Sequence, residues 1–259
     1  MTSPVPRSTQ SQDTGPGQAS STAPASAAPH SAIPTSAAAT TAAAADNLTV
    51  AQHASGRQPT TASAAASELA SAKIGLYNAL RHFPDFPIKG ISFIDIMPLF
   101  HDPVIHATLL RALELQALHF TTPSATATAF AAAPRVDVVV GLDARGFLFG
   151  PGLALGLGAA FAPVRKQGKL PGPCVTVSYE KEYGADHFQM QADAIKPGQT
   201  VLVVDDIIAT GGSAAAAGEL VRKLGGQLIG YLFILEISFL KGREKLGDAP
   251  VVTLLEEAE

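Results

Sequence analysis

The residues best suited to do chemistry concentrate in one stretch, Val201-Leu-Val-Val-Asp-Asp-Ile-Ile-Ala-Thr-Gly-Gly-Ser213, which follows the turn Lys196-Pro-Gly-Gln-Thr200. Four apolar residues predict a buried strand, Asp205 and Asp206 stand where it ends, and small residues then lead into a helix. Ala209, Thr210, Gly211, Gly212 and Ser213 would present unpaired backbone N–H groups at a helix amino terminus, where the dipole also favours an anion. Glycines let the backbone approach phosphate oxygens closely, and the Thr210 and Ser213 hydroxyls can donate further hydrogen bonds. Ionised Asp205 and Asp206 only accept hydrogen bonds, so they would repel a phosphate but suit the two hydroxyls of a ribose. Together these parts predict a cradle for ribose 5-phosphate. Each part alone also describes a solvated strand end or an ordinary helix cap; their succession in one frame favours a ligand.

Such a loop must be held by a sheet, and the sequence supplies one. Short apolar runs at Val136 to Val140, Ala160 to Val164, Val201 to Val204 and Leu228 to Leu235 read as buried parallel strands. Phe147 to Leu157 and Ser213 to Leu224 read as helices between them, the second stopped by Gly225 and Gly226. The expected fold is α/β, a mostly parallel central sheet flanked by helices, with ligands at the carboxyl ends of the strands. Gly168 to Phe188 falls outside the alternation: Val175-Thr-Val-Ser-Tyr179 has the period of a hairpin strand between glycine- and proline-rich flanks, which suggests a mobile flap. Thr121 to Pro134, uncharged and rich in Ala and Thr, follows the helical Ala107 to His119 and reads as an inserted loop without an assigned function.

Composition divides the chain. Residues 1–71 are built from Ala, Ser, Thr, Pro, Gln and Gly, with too little apolar surface to offset the entropy of ordering, and read as a disordered extension; residues 72–259 hold one folded domain. A formal net charge of −4 gives no electrostatic reason to expect nucleic acid or an anionic membrane as partner. The single cysteine, Cys174, excludes an internal disulfide and argues against thiol-rich metal clusters, which fits a reducing compartment such as the cytoplasm. No apolar run is long enough to span a membrane, and no secretory signal is evident. The amino-terminal segment is acid-poor like a transit peptide but carries only Arg7 and Arg57 as basic residues other than histidine, so organelle import stays open.

Competing nucleotide signatures fail. No Gly-x-x-x-x-Gly-Lys-Ser/Thr occurs, and Gly150-Pro-Gly152 runs to Leu155 where a dinucleotide pattern needs Gly or Ala. The 201–213 stretch instead resembles the PRPP (phosphoribosyl pyrophosphate) motif of the type I phosphoribosyltransferases. Further matches point to that family's adenine-specific branch: Phe83-Pro-Asp-Phe-Pro87 with Gly90-Ile-Ser-Phe-Ile-Asp-Ile96, Gly141-Leu-Asp-Ala-Arg-Gly-Phe147, Arg165-Lys-Gln-Gly-Lys-Leu-Pro-Gly172, Ser178-Tyr-Glu-Lys-Glu-Tyr-Gly184 and Leu240-Lys-Gly-Arg-Glu-Lys-Leu246. They occur in the family's order across nearly all of the folded part.

The resemblance implies transfer of the ribose phosphate of PRPP to adenine, giving AMP and pyrophosphate in purine salvage, with inversion at ribose carbon 1. It implies a homodimer, and Mg²⁺ bound mainly through PRPP. Arg145, placed by its own position after a strand, suits pyrophosphate through paired hydrogen bonds, and the resemblance implies the same contact. The basic cluster Arg165, Lys166 and Lys169 could also take pyrophosphate, or be a solvated face. By resemblance Glu182 manages the adenine proton as catalytic acid/base, and Tyr183 packs over the closed site. Backbone groups near Ser92 and Ile94 would read the adenine edge beneath a small hood; at Ile94 relatives often carry a basic or polar side chain, which this chain lacks. Phe83, Phe86 and especially Phe93 read equally well as core. The alternatives are a related enzyme for hypoxanthine or xanthine and a PRPP-sensing regulator; Glu182 and Arg145 argue for catalysis. Deleting Met1 to Ser71 is expected to leave activity nearly intact, measured as AMP formation.

Overall fold

A computed structural model describes residues 61–90, 92–121, 135–181 and 184–257. Its centre is a seven-stranded sheet in the order β5-β6-β4-β3-β7-β8-β9. The strands are β3 (Val138–Leu142), β4 (Ala160–Lys166), β5 (Cys174–Lys181), β6 (Gly184–Gln191), β7 (Thr200–Ile208), β8 (Gln227–Ile237) and β9 (Val251–Glu257). From β4 through β3, β7 and β8 to β9 every pairing is parallel; β5 and β6 form an antiparallel hairpin joined to β4. The expected mostly parallel α/β sheet is therefore present, and β9 adds an edge strand that the sequence reading did not single out.

Helices cover both faces, which is why the central strands are apolar without interruption. Val139, Leu202, Val204, Leu232 and Ile234 pack toward one layer with Leu76, Leu109, Leu113, Phe149 and Leu153. Their neighbours Val138, Val140, Val201, Val203, Tyr231 and Phe233 point the other way, toward Ala217, Leu220 and Val221. The first layer contains α1 (Thr61–Ala79), α3 (Pro103–Thr121) and α4 (Gly146–Leu157), while α5 (Gly212–Lys223) lies on the second. A short helix, α2 (Pro98–His101), precedes α3. The helices expected at 147–157 and 213–224 are α4 and α5, each beginning one residue earlier. A separate ribbon of β1 (Arg81–Phe83) and β2 (Phe93–Asp95) forms the hood.

One expectation is corrected. Helix α1 begins at Thr61, so residues 61–71 do not belong to a disordered extension. Alanine is the strongest helix former, and this run carries enough apolar residues to dock: Leu69 and Ala72 pack on the core that buries Leu76 and Leu80. Glu68 adds an ion pair with Arg111 at 2.9 Å. The rest of the proposed extension, residues 1–60, lies outside the described residues, as do residues 122–134 of the expected insertion. The hairpin strand expected at Val175 to Tyr179 is present as β5, paired with β6. Gln189 and Phe188 pair with Arg165 and Lys166 of β4, and Val177, Phe188 and Met190 are buried against the second core layer.

Truncation at two points separates these readings. Removing residues 1–60 should leave the melting temperature unchanged, whereas removing residues 1–71 deletes Leu69 and the Glu68 pair and should lower it by roughly 5 °C; calorimetry on both proteins checks this.

Candidate active site

The active cleft follows from the register of two strands. β3 and β7 run parallel with Gly141 opposite Val204, so the chain leaves both at the same edge of the sheet. Residues 143–145 and 205–214 consequently line one cleft. Close approach needs Gly146: a Cβ there would lie 3.2 Å from the Val204 carbonyl oxygen and 3.3 Å from the Asp205 carboxylate.

One wall is the start of α5. Gly211 precedes the helix with φ +77°, a left-handed conformation that an L side chain rarely adopts. Having no side chain, Gly211 makes no side-chain cap, and the first backbone N–H groups of the helix are left to face the cleft. Ala209, Thr210, Gly211, Gly212 and Ser213 all line it, as their sequence order anticipates.

The acid pair sits beside this loop. Asp206 is buried and faces the Arg145 guanidinium, Nε to Oδ2 at 2.8 Å. The contact is electrostatic, since among the described residues no donor directs a hydrogen bond at that oxygen. Burial raises the Asp206 carboxyl above the ordinary carboxylate range, and the Arg145 charge opposes that rise. Asp205 is pushed well above the ordinary range, first by burial and then by the charge of Asp206. Both groups resist ionisation, which an approaching cation or hydroxyl donor would relieve.

The remaining expected residues divide by position. Arg165, the next-to-last residue of β4, donates from Nε to Asp143 Oδ2 at 2.9 Å, which ties it to a residue lining the cleft. Its Nη1 donates to the Lys169 carbonyl at 3.2 Å. Lys166 and Lys169 are exposed at the margin, and Lys166 pairs with Asp186 at 3.5 Å. Glu182 and Tyr183 lie outside the described residues. Ser92 is exposed on the hood. Ile94 is 7% exposed, and its side chain belongs to the core with Leu76 and Leu80. The isoleucine at this position is therefore a packing residue, and only its backbone is left for a base. Phe83 and Phe86 are exposed among the described residues, so they are not core; they belong to the two-stranded ribbon and its connecting turn, outside the main sheet. Phe93 is half-buried and meets Phe86 edge-on at 5.2 Å. The sequence reading missed Asp143, whose position directly after a strand was the available signal.

Comparisons with known proteins agree with this geometry. Residues 129–250 match the phosphoribosyl transferase domain model. The chain is 58% identical over 180 residues to the adenine phosphoribosyltransferase of Yarrowia lipolytica, covering 70% of this chain and 93% of that protein. The chain belongs to the adenine phosphoribosyltransferase family. Adenine phosphoribosyltransferase 1 of Saccharomyces cerevisiae is 52% identical over 177 residues, 68% of this chain and 89% of that one. A crystal structure of the S. cerevisiae adenine phosphoribosyltransferase, solved with adenine and an imino-altritol bisphosphate, superposes with a TM-score of 0.65 at 51% identity, covering 72% of this chain and 99% of that one. The adenine phosphoribosyltransferase of Thermoanaerobacter pseudethanolicus gives a TM-score of 0.64 at 37% identity, covering 71% and 99%.

The acid pair yields a prediction about stability. A carboxyl whose folded-state pKa is raised takes up its proton more readily in the fold, so the stability it contributes falls as pH rises from the ordinary carboxylate range through the raised value. Asp205→Asn removes that burden. It should raise the melting temperature at neutral pH, and the gain should vanish in acid, where wild-type Asp205 is already protonated; melting curves across pH check the sign.

Proposed function

We propose that the protein transfers the ribose phosphate of PRPP to adenine, forming AMP and pyrophosphate for purine salvage. The observation that carries this is the single cleft in which the start of α5, the Asp205–Asp206 pair and Arg145 meet. The identity to adenine phosphoribosyltransferases over most of their length supports the base.

Each part has a task in the reaction. The 5-phosphate binds the N–H groups at residues 209–213, where the helix dipole adds attraction. Asp205 and Asp206 accept hydrogen bonds from the ribose hydroxyls, and that contact stabilises their ionised forms. Arg145 binds the pyrophosphate, with Arg165, Lys166 and Lys169 adding positive charge at the margin. As the bond between carbon 1 and pyrophosphate breaks, the sugar gains positive and the leaving group negative charge, so these fixed charges act on what develops in the transition state. Glu182 takes the proton that the adenine ring releases as its nitrogen bonds to carbon 1, and Tyr183 closes over the site. Excluding water there protects PRPP from hydrolysis.

Three carboxylates line the cleft, but Asp143 is committed to Arg165 and Asp206 to Arg145, which leaves too few for an all-protein metal cage but fits a Mg²⁺ carried in by substrate oxygens. Asp205 and Asp206 would hold the Mg²⁺ complex through the ribose hydroxyls, and the ion would supply charge neutralisation on the leaving pyrophosphate. Adenine is read by backbone groups near Ser92 and Ile94. The family supports a homodimer. A cytoplasmic enzyme fits the single cysteine and the described helices, none of which is long and apolar enough to cross a membrane.

The test is pyrophosphate release from PRPP and Mg²⁺ with adenine, hypoxanthine, guanine or xanthine added separately. Release is expected with adenine alone, and Glu182→Gln should lower kcat by about 100-fold. Release with another base would move the substrate and keep the chemistry.

A further inference from the structure

The phosphate-binding loop rests on a second backbone segment to which the reading above gives no role. Gly242 opens the 3-10 turn Gly242–Lys245 and is buried. A side chain at Gly211 would collide with the Gly242 carbonyl, and one at Gly242 would collide with the Ala209 carbonyl. The two glycine backbones therefore touch, with the loop over 209–211 seated on residue 242. Lys241, just before it, has φ +53°, so the chain bends sharply to reach this position.

Arg243 holds that bend. Its Nε and Nη2 donate to the two carboxylate oxygens of Glu236 at 2.7 and 2.5 Å, Nη1 donates to the Val251 carbonyl at 2.7 Å, and Nη2 also reaches Thr253 Oγ1 at 3.1 Å. Glu236 is 6% exposed and stands in β8 opposite Ile208, the last residue of β7 before the loop. Val251 and Thr253 belong to β9. One planar guanidinium thus ties the turn to β8, which pairs with β7 up to its exit, and to β9 beyond it, through a paired fork that only arginine can make.

We propose that Arg243 is a positioning residue for the 5-phosphate: by fixing Gly242 against Ala209 and Gly211 it holds the loop's N–H groups at the spacing a phosphate requires. This rests on the PRPP reading of the cleft. None of the hydrogen bonds of Arg243 goes to the hood, so recognition of adenine is independent of it.

The experiment compares wild type, Arg243→Met and Arg243→Lys in steady-state kinetics and in calorimetric binding of AMP. Arg243→Met should raise the KM for PRPP and the Kd for AMP by about tenfold while the KM for adenine and kcat stay within about twofold, and Arg243→Lys should recover part of the loss. Arg243→Met that folds with PRPP and AMP affinities equal to wild type would overturn the proposal. So would a similar loss toward PRPP and adenine, which would mark general loosening. If Arg243→Met does not fold because Glu236 is left unpaired, Arg243→Lys, which keeps a cation beside Glu236, carries the same comparison. Wild-type protein that binds AMP but forms none from PRPP and adenine would overturn the transferase reading instead, and the AMP affinities would still decide the role of Arg243.

Discussion

Parallel pairing of β3 with β7 is the constraint on which the site depends. Because Gly141 lies opposite Val204, the two chains turn out of the sheet side by side, and the helices that follow both begin at the same cleft: α4 at Gly146 and α5 at Gly212. Two positive helix ends then converge on the cleft. The pairing survives because Val138 to Val140 and Val201 to Val204 are buried on both faces, so a slip in register would disturb the packing of both core layers.

That convergence explains the electrostatics. Two adjacent carboxylates at a buried strand end are unfavourable by themselves, and both are pushed toward their protonated forms. Arg145 offsets part of that burden through Asp206. Similar pairings recur at the margin, where Arg165 meets Asp143 and Lys166 meets Asp186. These three basic groups are thus each held in place by an acid. The site trades stability for readiness, a usual condition of binding centres.

Burial divides the side chains of the hood. At Ile94 a departure from the family's usual polar residue suggests altered base selection. In the fold that side chain belongs to the core with Leu76 and Leu80, where isoleucine is at home. Phe83 and Phe86 show the converse, since large aromatic rings that read equally well as core are exposed among the described residues.

The sequence by itself determined the sheet class, the strand–acid–glycine–helix order of the phosphate loop, and the family, because these rest on local periodicity and on residues within one turn of each other. It drew the boundary of the folded part at residue 71 rather than within the run that becomes α1, since an Ala- and Ser-rich run looks like low complexity until Leu69 and Leu76 find a core to dock on. It could not bring Arg145 to Asp206 or Gly242 to Gly211, for those contacts join residues far apart in the chain. Only tertiary structure decided them, because the distance between two side chains depends on strand order and register, and neither is encoded in any single segment.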